Sequence, residues 1–218
     1  MESVCKYGAE RILFELLEHY ALLEACVGEI RKAYGLLIES FCDGGKLLVC
    51  GNGGSAADSE HIVGELMKSF RFKRAINKDF AVAYHQANGC EVPSWLEGAL
   101  PAISLSSHTA LSTAFCNDET AVGVYAQQVY GYGVAGDVFL GISTSGTSDN
   151  VVEAAKVARA KDMKVVALTG AKDTWFSRMA DAAICVPESE TFKVQEYHLP
   201  VYHCLCAMVE AEIFGSFK

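Results

Sequence analysis

Two stretches of this chain carry residue types suited to holding an anion beside acid–base groups. The first is Cys50-Gly51-Asn52-Gly53-Gly54-Ser55, followed by His61 and Glu65. The second is Gly141-Ile142-Ser143-Thr144-Ser145-Gly146-Thr147-Ser148. Each follows a short apolar run and precedes a helical pattern, so each is expected at a strand-to-helix junction. There, backbone N–H groups and the helix dipole favour negative charge. In the first loop, glycine permits the turn and lets a ligand approach the backbone, and Ser55 can cap the helix and face an anion. An ordinary tight turn with a serine cap would use the same residues. The second loop is more specific, because a cap at Ser148 accounts for one hydroxyl and this loop has five. A phosphorylated small molecule with acid–base chemistry beside it suits both loops.

His61 and Glu65 are spaced i, i+4 and share one helix face, a spacing that also serves a solvated intrahelical pair. Gln195, His198 and His203 fall in the last helical segment. Residues 195 and 203 are about 80° apart in helical projection, so both can face one cleft. His198 is about 140° from His203 and is expected to point elsewhere. Pro200 should kink that helix or lie in its first turn.

These residues need a frame, and the apolar pattern supplies one. Residues 8–42 read as helix, with Ile12, Leu13, Leu16, Leu17, Ile30, Ala33, Leu36 and Leu37 along one face. Such an arm could cover the sheet or meet another subunit. Short buried strands are expected at Lys46–Gly51, Pro101–Leu105, Val138–Ile142, Val165–Leu168 and Ala183–Val186. Helices are expected near 55–70, 110–115, 121–132, 150–161, 175–179 and 193–214. Strands alternating with helices imply βαβ units and a mainly parallel sheet covered on both faces. Ligands of such sheets bind beyond the carboxyl ends of the strands, where the strand order reverses. Both Gly/Ser loops have that position in the sequence. Residues 71–98, with Asn88-Gly89 and Pro93, read as a partly helical excursion from the core.

Composition narrows the class further. The 218 residues suit one large domain, or one domain with an added helical arm. A formal net charge of −9 argues against a nucleic-acid surface, and leaves backbone-mediated phosphate binding open. The nine cysteines include no CxxC pair and sit mostly in apolar runs, as reduced core thiols of a cytoplasmic protein do. Glu2, Lys6 and Glu10 interrupt the start of the chain, so no signal peptide is expected. No apolar run approaches the length of about 20 residues that a membrane span requires.

Taken in order, several motifs resemble the phosphoheptose isomerases, which are sugar-isomerase (SIS) domain enzymes. They are Val49-Cys-Gly-Asn-Gly-Gly-Ser55, His61-xxx-Glu65, Asn117-Asp118, Gly136-Asp-Val, Gly141-Ile-Ser-Thr-Ser-Gly-Thr-Ser148, Lys164-Val-Val-Ala-Leu-Thr-Gly170 and Gln195-Glu followed by His203. The resemblance spans nearly the whole chain. It implies a single SIS domain over residues 1–218, a three-layer αβα sandwich with a five-stranded parallel sheet. It also implies a homotetramer with sites at subunit interfaces, and conversion of sedoheptulose 7-phosphate to D-glycero-D-manno-heptose 7-phosphate. Asn52, Gly53, Gly54 and Ser55 match a sugar-phosphate loop, and Ser143, Thr144, Ser145 and Ser148 match a phosphate loop. Asn117 and Asp118 match a substrate-contacting pair. His61, Glu65, Gln195 and His203 match a zinc site, one per subunit, in which Gln195 and Glu65 also meet substrate. Glu65 and His203 match the catalytic base and acid.

The chemistry suits the residues. Ketose-to-aldose isomerisation removes a proton from C1 and returns one to C2 through an enediol, work for a carboxylate tuned by burial. A histidine can move protons between O1 and O2. This chain departs from better-known members in residues 71–98, about 20 residues longer than usual loop lengths lead one to expect. It departs also at Phe192-Lys193 and at Pro200. The segment lies near the cleft and bears on which sugar fits. Two alternatives remain open: the same chemistry on another sugar phosphate, and a non-catalytic SIS protein of the kind that binds a replication initiator. Retention of Glu65 and His203 favours the enzyme.

Overall fold

A computed structural model describes residues 2–215, and for residues 2–7 the backbone alone. Five strands form one parallel sheet: β1 (Leu47–Gly51), β2 (Ala102–Ser104), β3 (Val138–Ser143), β4 (Lys164–Thr169) and β5 (Ala182–Cys185). Their order is β2-β1-β3-β4-β5, with Leu48 opposite both Ile103 and Phe139. Strand order therefore reverses between β1 and β3, and the two Gly/Ser loops leave the carboxyl ends of those two strands. That is the crevice in which open α/β sheets bind ligands.

Side chains alternate across the sheet and define two cores. Leu47, Val49, Val138, Leu140, Ile142, Val166 and Leu168 face one core; Leu48, Cys50, Phe139, Val165 and Ala167 face the other. The first core is closed by α1 (Glu2–His19), α2 (Val27–Cys42), α3 (Gly54–Met67) and α9 (Thr191–Phe214). The second is closed by α6 (Val124–Tyr132), α7 (Asp149–Ala160) and α8 (Trp175–Met179). The remaining helices are α4 (Lys78–Asn88) and α5 (Thr109–Asp118).

The single helix expected over residues 8–42 is broken. Tyr20 leaves helical geometry at φ −132° and ψ 62°, and a 3₁₀ turn over Ala21–Cys26 leads into α2. The turn puts Leu23 and Cys26 into the core and gives the Cys26 thiol the Cys185 carbonyl as acceptor. Both helices pack on α9 of the same chain, with Ile12, Leu13, Leu16, Ile30 and Ala33 buried there. By contrast α9 runs unbroken through Pro200. The carbonyl robbed of its donor belongs to Glu196, an exposed residue, where water can replace the lost N–H.

The described cysteines other than Cys5 are all free thiols. Cys26, Cys50, Cys204 and Cys206 are core thiols as expected, but Cys42, Cys90 and Cys116 are exposed. The Cys5 side chain lies outside the described residues. Among the described residues, no helix is long and apolar enough to cross a membrane. The excursion at 71–98 contains α4, which starts at Asn77 with its side chain accepting from Asp79 and Phe80 N–H and ends at a left-handed Gly89. No residue of α4 is buried.

Candidate active site

The first loop turns at Gly53, whose φ of +56° and ψ of −120° suit glycine alone. Gly53, rather than the expected Ser55, is the N-cap of α3, and Ser55 is buried in the first turn. The glycine at 54 answers a close approach: a Cβ there would lie 2.6 Å from Nε2 of Gln195. Gln195 therefore lies over the start of α3. A buried hydroxyl set supports this loop from beneath. The Tyr125 hydroxyl donates to the Gly51 carbonyl at 2.6 Å, and Ser106 Oγ donates to the same carbonyl at 3.2 Å. Ser59 Oγ and Ser104 Oγ lie 2.7 Å apart behind them.

The second loop is tied to the first. The amides of Asn52 and Asn150 exchange two hydrogen bonds, each 2.9 Å. Within the loop the hydroxyls satisfy one another: Ser143 with Ser148 at 2.9 Å, and Ser145 with Thr147 at 2.9 Å. Ser148 is the N-cap of α7 by position, yet its side chain makes no capping bond. The hydroxyls thus remain available to an anion that replaces their mutual bonds.

The acid–base residues converge where α3 runs beside α9. His61 Nε2 lies 3.2 Å from Glu65 Oε1 and 3.4 Å from His203 Nε2. Glu65 is mostly buried, and its other oxygen lies 3.7 Å from Lys68 Nζ. Burial, and next to it the neighbouring His61, hold the His203 pKa below its ordinary value; Glu65 opposes them. His203 also packs against Phe70, ring centroids 5.5 Å apart, and both line a groove of about 300 Å³ between α1 and α9.

Other residues singled out in the sequence lie elsewhere. Gln195 sits at Gly54, about 10 Å along α3 from His61 at 1.5 Å per residue. Asn117 and Asp118 are exposed at the end of α5 and bond each other at 2.9 Å. His198 is fully buried, and neither ring nitrogen has a hydrogen-bond partner of good geometry. Burial pushes its pKa down to about 4, against a weaker opposing effect of the Thr169 backbone.

Two partnerships escape sequence reasoning. Tyr202, buried in α9, places its hydroxyl 3.1 Å from Asp58 Oδ1 and 3.0 Å from His61 Nδ1. Burial raises the Asp58 pKa, while the Tyr202 bond and His61 oppose the rise. The second is a buried ion pair of Arg74 and Glu210, at 2.8 Å. Arg74 also donates to the carbonyls of Leu66 and Glu65, and Glu210 accepts from Phe70 and Arg71 N–H. A glutamate inside the apolar run 204–211 signals that a buried partner is needed. It does not say which.

The SIS domain family model matches residues 20–97 and 94–170. The phosphoheptose isomerase of a Geobacter species is 36% identical over 209 residues, covering 94% of this chain and 97% of that protein. The chain belongs to the SIS-domain phosphoheptose isomerase family. Solved phosphoheptose isomerases resemble it in structure as well. That of Neisseria gonorrhoeae has a TM-score of 0.68 at 32% identity, covering 90% of this chain and 96% of the other. That of Francisella tularensis has a TM-score of 0.71 at 28% identity, covering 93% of each. The five-stranded parallel sheet with flanking helices is the fold they share with this phosphoheptose isomerase family member.

Proposed function

We propose that the chain is an aldose–ketose isomerase that converts sedoheptulose 7-phosphate to D-glycero-D-manno-heptose 7-phosphate. One observation carries the reading. Glu65 and His203, far apart in sequence, meet at His61 within 3.2 and 3.4 Å, beside two loops rich in N–H and hydroxyl groups. On this reading the 143–148 loop at the N-terminus of α7 holds the phosphate. Asn52, Gly53, Gly54 and Ser55 hold the sugar chain so that C1 and C2 reach Glu65. Glu65 takes the C1 proton and returns it to C2 of the enediol. His203, kept neutral at neutral pH by its lowered pKa, exchanges a proton between O1 and O2.

Zinc is part of the proposal. Among the described residues, no three His, Cys, Asp or Glu side chains already enclose a metal position. The donors nonetheless suit one: two imidazoles and a carboxylate are common zinc ligands. Bonds of about 2.0–2.1 Å in a tetrahedron put ligand atoms roughly 3.3 Å apart. The two separations at His61, 3.2 and 3.4 Å, match that edge. His61, Glu65 and His203 would hold the ion, which would organise the site and polarise the oxygens of the substrate; Glu65 and His203 can move protons only where the ion does not occupy their lone pairs. Gln195 would need to come from its place over Gly54, or from a neighbouring subunit.

A homotetramer with interfacial sites fits the surface. Phe14, Leu22, Trp95 and Phe192 are large apolar side chains left more than half exposed, Trp95 at 77%. Asn117 and Asp118 stand apart from the cluster in one chain, as residues given to a neighbour's site would. We read the chain as one SIS domain of the cytoplasm, with residues 71–98 shaping the cleft. The test is an NMR-monitored panel of C5–C7 ketose phosphates with the purified protein. Turnover of the C7 ketose above the others supports the reading. Preference for a shorter sugar replaces the substrate, and no turnover of any overturns the enzyme.

A further inference from the structure

We propose that Tyr202, anchored by Asp58, is a positioning residue that fixes His61 as its Nδ1–H tautomer, so that Nε2 presents a lone pair to the point shared with Glu65 and His203. The inference deepens the site reading above and rests on it only for the identity of the acid–base cluster. Neither Tyr202 nor Asp58 belongs to the motifs that define the loops or the acid–base set.

The protons available at this contact fix the tautomer. A phenol has one proton to donate and lone pairs to accept with. Tyr202 Oη stands between Asp58 Oδ1 at 3.1 Å and His61 Nδ1 at 3.0 Å. A carboxylate only accepts, so the phenolic proton goes to Asp58. The oxygen then faces His61 with lone pairs alone, and Nδ1 must carry the hydrogen. A neutral imidazole with Nδ1–H has its lone pair on Nε2. That lone pair points toward Glu65 Oε1, 3.2 Å away and itself an acceptor. Two electron-pair donors in that relation need a cation between them, a proton in the metal-free protein or a metal ion once one binds. The chemical class is a divalent metal that accepts nitrogen and oxygen ligands. A hydrogen bond on the far nitrogen of a ligating histidine is how proteins fix its tautomer and orientation.

The bland alternative is that Tyr202 is a core side chain whose hydroxyl merely found a partner. Its ring is 1% exposed and belongs to the core under the sheet, so packing alone would keep an aromatic there. Tyr202→Phe separates the two, because it keeps the ring and removes the proton relay.

The experiment uses full-length protein labelled with ¹⁵N in histidine, first free of metal and then titrated with zinc chloride. At pH 8 wild-type His61 should keep Nδ1 protonated throughout, and Nε2 should carry no hydrogen once zinc is bound. Tyr202→Phe should move the population toward the Nε2–H form and weaken zinc binding at the His61 resonance by about 10–100-fold, with unfolding near wild type. Asp58→Asn is the second variant, and covers the case in which the phenylalanine variant fails to fold. Its amide can donate to Tyr202 Oη, which frees the phenolic proton for His61 Nδ1, so it too should shift His61 toward Nε2–H. A wild-type His61 whose Nδ1 carries no hydrogen overturns the proposal. So does an unchanged tautomer ratio in both variants, or unchanged zinc affinity in a variant whose tautomer has shifted. Failure of the isomerase reading would look different. The tautomer and zinc effects would stand while no ketose phosphate is turned over.

Discussion

Removal of the Arg74 guanidinium should be the most damaging single change outside the acid–base cluster. Both members of the pair have side chains 0% exposed. Arg74 donates to Glu210 at 2.8 Å, to the Glu65 carbonyl at 2.7 Å and to the Leu66 carbonyl. Its guanidinium also lies 5.1 Å from the ring centre of Phe214. Arg74→Met fills much of the volume but leaves the Glu210 carboxylate buried with only the Phe70 and Arg71 N–H groups. Breaking a buried pair from one side costs about 3–5 kcal/mol. For a chain of this size 1 kcal/mol shifts the melting point by about 2–4 °C, so the expected fall is roughly 6–20 °C. Urea denaturation followed by circular dichroism should show a lower midpoint at an unchanged slope. Adding Glu210→Gln removes the stranded charge but keeps an acceptor for only one of the two N–H groups, which bond to different carboxylate oxygens, so the double variant should recover part of the loss. The anchored carbonyl is that of Glu65 itself, so kcat of the folded single variant should fall about tenfold with KM little changed. A single variant within about 1 kcal/mol of wild type, well short of the one-sided cost of a buried pair, would refute this reasoning. So would a double variant no more stable than the single one.

Ser145→Ala and Ser148→Ala should each cost about one hydrogen bond to a charged group, 1.5–3 kcal/mol. That is a rise in substrate Kd of roughly 10- to 150-fold by calorimetry; unchanged affinity would remove the phosphate from that loop. His198 titrates at about 4 in the fold and near 6.5 when unfolded. Between those values the unfolded chain binds the extra proton, so stability should be flat above pH 6.5 on this account and fall by roughly 3 kcal/mol toward pH 4. His198→Leu should abolish that part of the acid loss in urea titrations at pH 7.5 and 4.5; an equal loss in both proteins would contradict it. Tyr125→Phe should loosen the Gly51–Asn52 turn and raise KM more than it lowers kcat, measured by steady-state assay.

Much of the frame was legible because the strands are short apolar runs, four of them closed by glycine, serine or threonine and the fifth followed by Pro187. The two loops could be placed at the switch point for the same reason. The break at Tyr20 was not legible: neither glycine nor proline marks it, and the cause is the burial of Leu23 and Cys26 in a distant core. The glycine pair 53–54 announced a turn. Which glycine caps α3, and that Gln195 covers the other, depends on α9, about 140 residues later in the chain. His61, Glu65 and His203 could be singled out by spacing and motif. Asp58 and Tyr202 could not, since a lone tyrosine in an apolar helix reads as packing until its hydroxyl is seen between two side chains of α3. Arg74 was hidden for a related reason. A basic residue among Arg71, Lys73 and Arg74 reads as surface, and only the buried Glu210 across α9 shows which of the three turns inward.

The most direct measurement is the ¹³C NMR time course of sedoheptulose 7-phosphate with wild type and with Glu65→Gln. Wild type should convert the ketose to the aldose phosphate, with signals growing at the aldehyde-derived C1. Glu65→Gln should bind the same sugar phosphate and give no conversion. Near-wild-type turnover in Glu65→Gln would contradict the role of Glu65 as the base, and no turnover by wild type would contradict the isomerase itself.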